Sequence, residues 1–162
     1  MNKGKIVLKD IENIDIFINK SYISDNLKDQ IISSDIAILP IEGFGNYKGP
    51  LFPTGTEMIY LYLKKNLPPD YKLEIAIDAK DYKELSLNHA IIDIGIFILS
   101  QIYLPFFLNL LANYISNKFS SKDNIVKVKF ILKDDLKFID YEGPVDNFKI
   151  ISKELKKISK NE

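Results

Sequence analysis

The residues best suited to chemistry gather in one loop that begins at Glu42 and ends at Glu57. Gly43, Gly45, Gly49 and Gly55 share it with Pro50 and Pro53, which is most of the chain's turn chemistry in one stretch. The loop follows an apolar run that reads as a strand and leads into a helix start. In open α/β sheets, ligands collect at the carboxyl ends of strands. A helix N-terminus presents unpaired N–H groups to an anion. Gly55 would let a ligand approach the backbone, Thr54 and Thr56 supply hydroxyls, and Lys48 is a mobile cation. That set suits a nucleotide or another anion. The phosphate fingerprints themselves are missing. Gly43-Phe44-Gly45 has no third glycine at the dinucleotide spacing, and the stretch from Gly45 to Gly49 does not fit the Walker pattern. The plainer alternative is a surface loop in which Thr54 and Glu57 form a capping box that only starts the helix.

Three carboxylates, Glu42, Glu57 and Asp78, are expected at the same sheet edge, because Asp78 ends the next strand. Paired carboxylates can do acid–base work or hold magnesium. The alternative is one cap residue and two solvated acids. His89 and Asp93 stand i, i+4 on a segment read as helical, where a carboxylate can orient a histidine base, but no nucleophile accompanies them. Phe44, Tyr47 and Phe52 lie in the same loop. Exposed, they would form a docking patch; buried, they would anchor the loop.

Composition narrows the field. The 162 residues are one domain's worth. The 22 basic residues balance 22 acidic ones, and every basic residue is lysine. Without cysteine there is no disulfide framework, thiolate catalysis or cysteine zinc site. One histidine excludes a multi-histidine metal site within one chain. The lack of arginine removes the bidentate forks that clamp phosphates or read guanine, and a balanced charge argues against nucleic acid as a partner. Hydrophobic residues at 46% and charged residues at 27% fit a globular chain rather than a disordered one. The apolar run at 6–8 stops at Lys9-Asp10, too short for a secretory h-region, so a cytoplasmic location is expected. No catalytic residue, metal ligand or cofactor is assigned.

The elements that must position these residues follow from periodicity. Strands are expected at 5–8, 14–18, 36–41 and 73–78, and a hairpin at 126–132 and 136–141. A helix over 24–33 can be capped by Ser24 or Asp25, and another over 58–65 is closed off by Pro68-Pro69. Residues 82–119 read as helical, with a kink or break at Pro105. Val145, Phe148, Ile151, Leu155 and Ile158 form one stripe of a terminal amphipathic helix. The fold class expected is α/β in a single domain over 1–162. Its sheet would be mostly parallel, with an antiparallel C-terminal hairpin at one edge, beside a long central apolar helix kinked near Pro105.

Residues 94–112 carry no charge, long enough to raise the question of a membrane span. Pro105 in the middle, Asp93 at the edge, a narrow polar stripe and balanced lysine flanks favour a helix buried in a globular fold, with an exposed oligomer or partner face as the next reading and a membrane segment as the third. The leading functional reading is a non-catalytic interaction or regulatory protein, an accessory or immunity-type subunit of a bacterial multi-protein system, with a protein partner or a homo-oligomer. The second is a small-ligand sensor for a nucleotide or other anion that uses the loop. The third is a membrane-associated protein that uses residues 91–116.

Overall fold

The computed structural model describes residues 4–43, 47–85, 91–119 and 124–160, with backbone alone at 149, 151 and 156–160. Phe44, Gly45 and His89 lie outside the described residues. In chain order the elements are β1 (Lys5–Asp10), α1 (Asp15–Ile18), α2 (Asp25–Ser33), β2 (Ile36–Leu39), β3 (Phe52–Pro53), α3 (Thr56–Asn66), β4 (Leu73–Ile75), β5 (Glu84–Leu85), β6 (Ile91–Leu99), α4 (Leu104–Lys118), β7 (Ile125–Leu132), β8 (Lys137–Pro144) and α5 (Val145–Lys160). Six strands form one sheet in the order β1-β8-β7-β6-β2-β4, and β3 pairs with β5 in a small separate sheet.

The architecture is mixed α/β, but the sheet is not mostly parallel. Of the five pairings in the large sheet, β1–β8, β8–β7 and β6–β2 are antiparallel, while β6–β7 and β2–β4 are parallel. In both parallel pairs the connecting stretch contains a helix, α4 between β6 and β7 and α3 between β2 and β4, long enough for a crossover. Alternation along the chain says nothing about β1, which travels to the far end of the sheet and pairs with β8. The C-terminal hairpin therefore lies inside the sheet, with β1 at the edge instead.

Each buried strand feeds two layers. Ile36 and Ile38 of β2 join the core under α3, α4 and α5, whereas Ala37 and Leu39 join the core under α1 and α2. A strand covered on both faces shows an unbroken apolar run, as expected for 36–41, of which β2 takes 36–39. Ser24 caps α2 as read from the sequence, its Oγ accepting the Leu27 N–H at 3.2 Å. Residues 14–18 form no strand. They coil into α1, because Ile14, Phe17 and Ile18 reach the core together at helical spacing while Ile16 is left 63% exposed.

The long kinked helix is also absent. Residues 91–99 are strand β6, a 3₁₀ turn covers Gln101–Tyr103, and only then does α4 begin. Pro105 sits in its first turn, where a missing N–H leaves nothing unpaired. A bulge between Asp93 and Gly95 hides the strand period in this stretch. Gly95 has φ +124°, and its N–H donates to Asp93 Oδ1 at 3.0 Å. Ile92 before the bulge and Ile94 within it face the α4 layer; after it, Phe97 and Leu99 do, with Ile96 and Ile98 turned to the α2 side. The period of two slips by one residue, so no alternation survives in the sequence.

Phe97, Phe107 and Phe130 bring β6, α4 and β7 together, with ring centroids 4.9 Å apart for Phe97–Phe107 and 6.0 Å for Phe107–Phe130. The terminal helix seats Val145, Phe148 and Leu155 on the same core. Among the described residues, no helix is long and apolar enough to cross a membrane.

Candidate functional site

The N-terminus of α3 shows how the loop is held. Its cap position is Gly55, at φ +97°, and not Thr54. A left-handed conformation of this kind favours glycine. The capping carboxylate comes from across the small sheet. Pairing of β3 with β5 puts Phe52 opposite Glu84. Glu84 Oε1 then accepts the Gly55 N–H at 2.8 Å, and Oε2 accepts the Glu57 N–H at 3.0 Å. Tyr82 donates its hydroxyl to Oε2 at 2.5 Å. Thr56 is buried and donates to the Pro53 carbonyl at 2.7 Å. The capping box expected from Thr54 and Glu57 is thus replaced by a residue distant in sequence.

Charge follows from this geometry. Burial would raise the Glu84 pKa, but hydrogen bonds from Tyr82, Gly55 and Glu57 outweigh it and hold the carboxyl below its ordinary value. The Tyr82 hydroxyl is pushed well up by burial and by its bond to Glu84. The N–H groups that would greet an anion already hold a carboxylate, and Glu57 adds a second negative charge there.

Beside this terminus runs a groove of about 540 Å³. It lies along the β4 end of the sheet, between α2, which contributes Leu27 and Gln30, and α3, which contributes Glu57, Tyr60 and Leu61. Ile75 and Ile77 give it further apolar lining, with Glu74, Asp78 and Tyr82 as polar lining. Two of the expected carboxylates, Glu57 and Asp78, are therefore brought together, and Glu74 joins them. Burial raises the Glu74 pKa, against the Ile75 backbone and Lys64. Lys64 stands over the Tyr60 ring, 5.5 Å from its centroid. Among the described residues, no three acidic or histidine side chains converge closely enough to hold a metal ion.

The remaining loop residues go elsewhere. Glu42 accepts the Tyr22 hydroxyl and lies 3.6 Å from Lys20 Nζ. Lys48 and Thr54 are exposed. Phe52 is fully buried and stacks on Tyr82 at 4.9 Å, so it anchors the loop. Tyr47 is exposed, with Lys83 Nζ 5.8 Å from its ring centroid and 3.2 Å from its hydroxyl. The sequence reading missed Glu84, Glu74, Tyr60 and Tyr82. A usable signal was present for one pair: Tyr82 and Glu84 are two apart, the spacing of neighbours on one face of a strand. Comparison with protein-family models, with curated proteins and with solved structures finds no match to this chain.

Proposed function

We propose that this chain is a binding protein, an accessory or immunity-type subunit, that receives cationic side chains of a partner polypeptide in the groove between α2, α3 and β4. One observation carries the reading: Glu57, Glu74 and Asp78 line one groove with Leu27, Leu61, Ile75 and Ile77 without converging on a metal position. Lysine and arginine have apolar stems and charged heads. A groove with apolar lining and separated carboxylates can seat both parts, and hydrogen bonds between ionised groups are the stronger kind.

The test is titration of ¹⁵N-labelled protein with a short lysine-rich peptide and, separately, with nucleotides. The expected result is shifts at Tyr60, Leu61 and Ile77 with the peptide. They weaken as salt is raised and disappear in the Glu57→Gln/Glu74→Gln/Asp78→Asn variant. Nucleotide-induced shifts around Thr54, Gly55 and Thr56, with none from the peptide, would replace this reading with the anion-sensor one.

A further inference from the structure

We propose that the outer edge of β1, which pairs with no described strand but β8, is a strand-addition site for an extended segment of a partner polypeptide in which acidic and apolar residues alternate. The edge lies at the opposite end of the sheet from the acidic groove. Its hydrogen-bonding side follows from the register. The Ile11 N–H donates to the Leu136 carbonyl at 2.9 Å, continuing the β1–β8 register beyond Asp10. Antiparallel partners alternate between bonded and unbonded pairs. Lys5, Val7 and Lys9 therefore direct their backbone groups at β8. The N–H and C=O groups of Ile6, Leu8 and Asp10 point away from the sheet, where a further strand would lie.

The two faces of this edge differ in chemistry. Ile6 is opposite Tyr141 and Leu8 opposite Ile139, both core residues of the α4–α5 layer, so Ile6 and Leu8 face that layer. They are nonetheless 38% and 49% exposed. Leu8 also borders a cavity of about 460 Å³ to which Leu104, Leu132, Ile139 and Leu155 give apolar lining, while Lys9, Asp10, Gln101, Asp135 and Lys137 give polar lining. An added strand would lay alternate side chains beside the exposed apolar side chains of Ile6 and Leu8, next to this cavity. Its intervening side chains would fall on the other face, beside Lys5 and Lys9. Opposite charges across a strand pair favour pairing and like charges oppose it, which selects acidic residues at those positions.

The same lysines argue against a second copy of this chain as the occupant. Antiparallel self-pairing centred on Val7 sets Lys5 of each copy opposite Lys9 of the other. Lysine on an edge strand is a recognised guard against such pairing. Recognition through main-chain bonds with alternating side chains is an established mode of peptide capture.

The experiment uses the full chain and two eight-residue peptides, one alternating Glu and Val, the other Lys and Val. Amide exchange and chemical shifts of β1 are followed by NMR. The expected result is slowed exchange at Ile6, Leu8 and Asp10 with the acidic peptide, and at least tenfold weaker binding of the basic one. Lys5→Glu/Lys9→Glu should reverse that preference. Leu8→Pro, which removes an outward N–H where edge strands tolerate proline, should abolish binding. If that variant fails to fold, the charge reversal decides alone. No effect on β1 amides at millimolar peptide, equal binding of both peptides, or a preference that survives the charge reversal would overturn the proposal. So would a concentration-dependent dimer in light scattering that the charge reversal modulates, since the edge would then belong to a second copy.

Discussion

Glu84 and Asp93 are both partly buried carboxylates, and their surroundings drive them in opposite directions. Glu84 is satisfied by two helix N–H groups and a tyrosine, and its pKa falls. Such a group stabilises the fold above its unfolded pKa, and that contribution is lost as pH falls through the folded value. Glu84→Gln is expected to cost about 1 kcal/mol at neutral pH, the size of a lost cap. The gap to the wild type should close in acid, as urea unfolding at both pH values would show. Asp93 is raised instead, because burial outweighs the help of Lys127, the Gly95 N–H and Lys129, and Asp140 adds repulsion. A raised carboxyl contributes below its unfolded pKa and loses that contribution as pH rises through the folded one. Asp93→Asn, which keeps an acceptor for Gly95, should therefore match or exceed wild-type stability at neutral pH, with the advantage shrinking in acid. Neither role was legible locally: Glu84 caps a helix that begins 28 positions earlier in the chain, and the surroundings of Asp93 come from β7 and β8.

Among the elements, α2, α3, the β7–β8 hairpin and α5 were readable, because each carries its own signal in neighbouring residues. Ser24 before an i, i+4 stripe marks α2, and alternation with lysines marks β7. The departures were α1, β6 and the short β3–β5 pair, whose residues were expected in a loop and in a helix. At 14–18 the residues fit both periods, and packing of Ile14, Phe17 and Ile18 against the sheet chose the helix. In β6 the bulge erased the alternation. Gly95 is the hinge of that bulge, and an L side chain at φ +124° is strained whatever the space around it. Gly95→Ala should cost about 1–3 kcal/mol, measured as a lower urea midpoint. Because the bulge reorients β6, loss of protection should appear at Ile96 and Ile98 in amide exchange while the β7–β8 hairpin keeps its own.

Across the whole molecule, one sheet carries a helical layer on each face and leaves two unlike edges. The β4 edge lies between two helices and forms the acidic groove; the outer edge of β1 meets no other described strand and carries Lys5 and Lys9. Phe107 joins α4 to β6 and β7 at the centre of the larger core, with no exposed surface. Phe107→Ala should cost about 3–5 kcal/mol, as expected for a large cavity. Its circular dichroism and fluorescence unfolding curves should still coincide if the two layers melt as one unit. Curves that separate would show that the two layers do not melt as one unit.

The chemistry open to this protein was already bounded by its residue types: no thiol, no guanidinium, and one imidazole. Short-range order was equally local, since caps and stripes involve residues within a turn or two of each other. Tertiary structure alone decided strand direction, the division of 94–112 between a strand and a helix, and the capping of α3 by Glu84. The reason is that an apolar run covered on both faces carries no period, and a groove is made by residues from three separate elements. Only closure of the sheet brings Glu57, Glu74 and Asp78 to one groove and leaves β1 paired on one side alone among the described strands.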